Sequence, residues 1–145
     1  MTAAAHTAGG PARPLLGGRA HLLELARHVD ARGELVPLTF ADLGFPVARA
    51  FVVTAPDGSM RGGHAHAASR QLLLRVRGTI RVELRAVEQA EVVLLDEESP
   101  ALVIEPGVWA TQTYVGDDAA LVVFSDAAYD PADYIDHPDL RERAT

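Results

Sequence analysis

The sequence predicts an all-β chain, a sandwich or barrel of antiparallel strands. Short apolar runs rich in Val, Leu and Ile recur along the chain, and each is bounded by Gly, Pro, Asp or Ser. No helical period interrupts them until the tail. A length of 145 residues suits one domain, taken as residues 15–145. Residues 1–14, mostly Ala, Gly, Thr and Pro with no apolar run, are expected to be a disordered tail.

In chain order, Leu15 to His28 fits a short helix or a first strand, and strand is favoured. Asp30 to Leu35 reads as a turn, and Leu35 to Phe40 as a strand broken by Pro37 and therefore at an edge. Val47 to Ala55 is a strand closed by the loop Pro56-Asp57-Gly58-Ser59. A strand bearing His64 and His66 follows. Gln71 to Val76 and Ile80 to Val87 are expected as two strands joined by a hairpin turn at Arg77-Gly78-Thr79. Then come Glu91 to Leu95, Ala101 to Ile104, the turn Glu105-Pro106-Gly107, Trp109 to Val115 and Ala119 to Phe124.

Composition excludes several chemistries. There is no cysteine, hence no disulfide, thiolate nucleophile or Cys-ligated metal, and the chain suits the cytoplasm. All thirteen basic residues are Arg, so Schiff-base and P-loop lysine chemistry are out. A net charge of −7 argues against nucleic acid as a partner, and no apolar stretch is long enough for a membrane-spanning helix. An anionic small ligand would have to be met by local arginines.

The chemistry concentrates between Gly58 and Gly78. His64 and His66 alternate along a strand and so share one face, behind the glycines of Arg61-Gly62-Gly63. Two imidazoles that close cannot both be charged cheaply, so at least one is neutral near pH 7 and can accept a proton. The Gly, His-x-His, Gly spacing is similar to the first motif of the cupins, which implies a jelly-roll antiparallel barrel with the histidines lining a pocket. Cupins often hold a metal through a carboxylate at the position of Gln71 and a third His after the Pro-Gly turn. Here the carboxylate is an amide, and Val108-Trp109-Ala110-Thr111-Gln112 holds no His, so the pocket is read as metal-free.

The resemblance extends along the chain. Asp30-Ala31-Arg32-Gly33-Glu34-Leu35, Phe45-Pro46-Val47-Ala48-Arg49, Arg61-Gly62-Gly63-His64-Ala65-His66 with Gln71, and Leu102 to Trp109 follow in order. Ser125 and the run Tyr129-Asp130-Pro131-Ala132-Asp133-Tyr134-Ile135 complete the series. Together they resemble the dTDP-4-keto-6-deoxyglucose 3,4-ketoisomerases, cupins of deoxysugar biosynthesis. The resemblance implies a dTDP-linked keto-sugar as substrate, no cofactor, a homodimer that could exchange its N-terminal strand, and His64 and His66 as the proton-transfer residues. Arg61 would meet a phosphate or the enediolate, since Arg stays charged and offers a planar fork of donors.

Other residues are weighed against this frame. Arg75 and Arg77 share a face with Gln71 if alternation holds, and could meet a diphosphate or be solvated. Trp109, just past the pocket turn, is either a plug or a platform for a sugar or base ring. Family members carry tyrosines a dozen residues before the first His, where this chain reads Arg49-Ala50-Phe51-Val52-Val53. Tyr114 is the candidate replacement hydroxyl, while Tyr129 and Tyr134 are read as structural. The missing tyrosines also keep open a cupin that binds a sugar nucleotide or another metabolite without turning it over.

Overall fold

The structure, a computed structural model, describes residues 10–136. Two long strands, β7 (Gln71–Ala86) and β10 (Trp109–Ser125), pair antiparallel along their length and organise the rest. The first half of β7 borders β9 (Ala101–Ile104) and its second half borders β8 (Gln89–Leu95). The first half of β10 borders β6 (Met60–His66), and its second half borders β5 (Arg49–Thr54). Two sheets therefore share two strands. The first is completed by β2 (Ala20–Glu24) and β1 (Gly10–Leu15), the second by β11 (Tyr134–Ile135) on β6. A small hairpin, β3 (His28–Asp30) with β4 (Gly33–Leu35), stands apart. No α-helix occurs among the described residues.

One core lies between the two sheets. Leu73, Leu102, Leu121 and Val123 from the first meet Ile80, Val82, Leu84, Val93 and Tyr114 from the second, all essentially removed from solvent. Alternation along each strand dictates this set, because residues two apart share a face. The arrangement is an antiparallel cupin-type barrel, as the sequence predicts.

Several expected elements are corrected. Residues 77–79 form no hairpin turn: β7 runs straight through Gly78, and the strands expected at 109–115 and 119–124 are likewise one strand. Gly78, at φ +69°, supplies a bend rather than a reversal, matched on β10 by irregular register between Val115 and Leu121. Leu35 to Phe40 is not a strand. β4 ends at Leu35, and Phe40–Leu43 form a short 3-10 turn. Pro37 cannot donate to a ladder, and the segment instead lays Leu38, Leu43 and Phe45 over the outer face of the first sheet, against Leu23, Leu72 and Val103. Residues 10–14, expected to be disordered, form most of β1; residues 1–9 lie outside the described residues.

Candidate active site

The two histidines face the barrel interior at the end of β6. His64 pairs with Ala110 of β10, a core residue that shares its inner face with Leu84, so His64 points inward. The His64 and His66 rings are 5.0 Å apart, nearly perpendicular. Burial pushes both imidazoles below their ordinary value. For His64 the neighbouring His66 adds to the effect, while for His66 the hydrogen bond and charge of Asp133 oppose it. Both rings are therefore neutral near pH 7 and hold a lone pair available to a proton.

A β-bulge brings Arg61 to the same face. Strict alternation would set residues 61 and 64 on opposite sides of the strand. Gly62 and Gly63 both take positive φ, +83° and +79°, and the register slips there so that Arg61 stands opposite Gln112 while His64 stands opposite Ala110. Ala110 and Gln112 share a face of β10, so Arg61 and His64 do too. A Cβ at Gly62 would come within 3.0 Å of the Ala110 carbonyl, so only glycine fits the bulge. Arg61 keeps its side chain solvent-accessible.

A second row closes the site from the first sheet. Ile104, Gln71, Ser125 and Arg49 are consecutive cross-strand neighbours on β9, β7, β10 and β5. Ile104 belongs to the core, so the row faces inward, and Gln71 is buried with no partner for its Nε2. Arg49 carries its guanidinium 5.2 Å from the Phe51 ring and 5.5 Å from the Tyr129 ring, and its charge acts on His66. Its Nε is buried without a partner, an open donor.

The C-terminal segment supplies what the sequence reading missed. Tyr134 of β11 pairs directly with His66, and its ring lies 4.7 Å from each imidazole. Asp133, just before it, places a carboxylate oxygen 3.1 Å from His66 Nδ1. Tyr134 and Tyr129, read as structural, thus wall the site, with their own rings 5.9 Å apart. Asp133 and Tyr134 belong to the motif Tyr129 to Ile135, but the contact of Asp133 with a residue 67 positions away has no local signal.

Other expected site residues lie elsewhere. Trp109 neighbours Ala110 and so faces the outside of the second sheet, where the Arg85 guanidinium covers its ring at 5.6 Å; it does not floor the pocket. Tyr114 is wholly buried in the core, its hydroxyl without a partner and its acidity weakened by burial. It stands four positions along β10 from the residue opposite His64, about 13 Å at strand rise. Arg75 donates to the Gly78 carbonyl at the bend, and Arg77 is exposed 3.8 Å from Asp118, so neither is brought to the histidines. Among the described residues no group of three or more His, Asp or Glu is placed to hold a metal ion.

An antiparallel cupin-type barrel whose interior presents two neutral imidazoles and two arginines can exchange protons with a small molecule and counter negative charge on it. The chain belongs to the FdtA family, described as WxcM-like, C-terminal, which it matches over residues 19–142. It is 28% identical over 116 residues to the TDP-4-oxo-6-deoxy-alpha-D-glucose-3,4-oxoisomerase of Aneurinibacillus thermoaerophilus, covering 79% of this chain and 84% of that one. Among solved structures it is similar to the sugar 3,4-ketoisomerase QdtA from Thermoanaerobacterium thermosaccharolyticum in complex with TDP. That match has a TM-score of 0.79 and 26% identity, and covers 87% of this chain and 94% of QdtA. It is also similar to ChmJ, a 3'-monoepimerase from Streptomyces bikiniensis in complex with dTDP-quinovose. There the TM-score is 0.78 and the identity 25%, over 84% of this chain and 71% of ChmJ.

Proposed function

We propose that this chain is an isomerase of deoxysugar biosynthesis that interconverts the 4-keto and 3-keto forms of a dTDP-linked 6-deoxy sugar. The observation that carries the reading is the pair of inward-facing imidazoles, both held neutral by burial, in a chain of the FdtA family. Moving a carbonyl from C4 to C3 requires a base for the C3 proton, an enediolate held briefly, and a proton delivered to C4. Neutral imidazoles supply the first and last steps. Arg61, on the same face as His64, and Arg49, with its unpaired Nε, supply charge for the enediolate oxygens or the diphosphate. Gln71 offers an amide donor to a sugar hydroxyl from the facing row.

The working assembly under this proposal is a homodimer in the cytoplasm. Two features support a second copy: β1 is an edge strand paired on one side only, and Val92, Leu94 and Met60 remain exposed on the second sheet. No helix of the described residues is long and apolar enough to cross a membrane. A second reading, a cupin that binds the sugar nucleotide without turnover, is favoured by Phe51, which shares the inner face with Arg49 where a tyrosine hydroxyl would otherwise be available.

Incubation with dTDP-4-keto-6-deoxyglucose, followed by NMR of the sugar, tests the proposal. The expected result is a 3-keto product. Binding of dTDP, seen as a rise in melting temperature with ligand excess, without any product would favour the second reading. No shift at millimolar dTDP would remove both.

A further inference from the structure

The outer face of the second sheet carries a plug directly behind the β6 bulge. Gly62 pairs with Thr111 and His64 with Ala110, so Gly63 is the extra residue, with no partner of its own on β10. β11 reaches only Ala65 and His66, so among the described residues no strand flanks the bulge on its other side. Two successive glycines at positive φ also have more backbone freedom than any other pair. The bulge is therefore a soft point in β6, and it sets the direction of Arg61. Its two glycines are packed differently. At Gly62 an added Cβ would press on the Ala110 carbonyl and the Gln112 side chain, both at 3.0 Å, so this residue rests on β10. At Gly63 the only group beyond its chain neighbours within 4 Å of that position, among the described residues, is Trp109 Cζ2, at 3.8 Å. Trp109 in turn lies under Arg85, its cross-strand partner on β7, whose guanidinium is 5.6 Å from the ring centre. Thr111, two residues on and so on the same outer face, is only 6% exposed, which marks this stretch of the face as packed over rather than open. The indole N–H has no hydrogen-bond partner among the described residues, so ring shape and the cation hold Trp109 in place.

We infer that Trp109, capped by Arg85, is a positioning residue that clamps the Gly62–Gly63 bulge from outside the barrel and so fixes Arg61 toward the diphosphate of a ligand inside it. The ligand half of the inference rests on the sugar-nucleotide reading above. Trp109 touches no ligand; it acts only through the backbone it covers. A guanidinium fork meets a phosphate with two aligned donors only when the root of its side chain is held, and a displacement of about 1 Å there misaligns both. The glycines give the strand the slip that turns Arg61 inward, and the indole takes away the motion that the same glycines would otherwise allow.

Amide hydrogen exchange and dTDP binding of the full chain test the two halves separately. In Trp109→Ala the amides of residues 61–64 should exchange about tenfold faster while those of β8 keep their protection. Trp109→Phe, which keeps a ring under Arg85, should restore most of the protection. For the ligand, Trp109→Ala should weaken dTDP about tenfold, the scale of one charge-assisted contact, and Arg61→Gln by at least as much. In the double variant Trp109→Ala should cost nothing further, because its effect passes through Arg61. A residue that merely stabilised the fold would instead weaken binding equally with and without Arg61. Unchanged exchange at residues 61–64 in Trp109→Ala would overturn the inference, as would additive losses in the double variant or an Arg61→Gln protein that binds dTDP like the parent. A parent protein that does not bind dTDP overturns the sugar-nucleotide reading, and the exchange rates then still decide whether Trp109 holds the bulge.

Discussion

Tyr134 stands directly across the β11–β6 pairing from His66, and its ring lies 4.7 Å from that imidazole. The same ring lies 4.7 Å from His64, edge to face. One aromatic thus packs both imidazoles, restricting their rotamers without a covalent or charged contact.

The role assigned to Tyr134 is that of a wall, which separates two substitutions. Tyr134→Phe keeps the ring, so activity should fall by no more than a few fold. Tyr134→Ala should cost about 2 kcal/mol of stability and remove most of the activity, because the imidazoles lose the surface that orients them. Steady-state kinetics beside urea unfolding of both variants would show it. Equal loss in both would mean that the hydroxyl, not the ring, matters.

Gly78 controls the fold in a comparable way. A Cβ there would lie 2.7 Å from both the Ala119 Cβ and the Val115 carbonyl, and φ is +69°. Gly78→Ala should therefore destabilise by about 2–4 kcal/mol, combining a left-handed backbone with overpacking. A urea midpoint within error of the parent would show that β7 and β10 do not need this bend.

The pH dependence follows from burial. His64 and His66 lie below the ordinary imidazole value of 6.5 when folded, as does His21 on β2. Between the folded and unfolded values the unfolded chain binds more protons, so stability rises with pH there and is lost as pH falls below 6.5. Turnover needs a neutral ring, so kcat/KM should also fall as pH drops through that window and stay level near neutrality. A rate that increases from pH 7 to pH 5 would contradict the assignment.

Chelation should leave activity intact. Gln71 brings no charge, Ala110 rather than a third imidazole stands opposite His64, and the nearby Asp133 carboxylate is already engaged by three donors. Elemental analysis of the purified protein should find less than one metal per chain. Stoichiometric Fe, Mn, Ni or Zn whose removal abolishes activity would contradict this account of the site.

The sequence made the strands and the histidine pair legible because both depend on spacing of two along one segment. Gly78 misled, since a glycine between two apolar runs reads the same whether the chain reverses or only bends. Arg61 was placed by motif, yet its shared face with His64 arises from the bulge at Gly62 and Gly63, which alternation alone would deny. Arg49, Asp133 and Tyr134 reach the site through strand pairing and through contacts tens of residues apart, and no local pattern encodes those. Trp109 went the other way: its position after the turn suggested the pocket, but strand parity turned it outward.

Proton exchange in heavy water tests the central claim most directly. With dTDP-4-keto-6-deoxyglucose, the account predicts that NMR or mass spectrometry detects deuterium at the carbon undergoing exchange, even where equilibrium hides net conversion. His64→Asn and His66→Asn, which keep shape and lose basicity, should each abolish the label while dTDP still raises the melting temperature. Deuterium incorporation that survives in both variants, or tight binding with no incorporation in the parent protein, would contradict a histidine-mediated ketoisomerase.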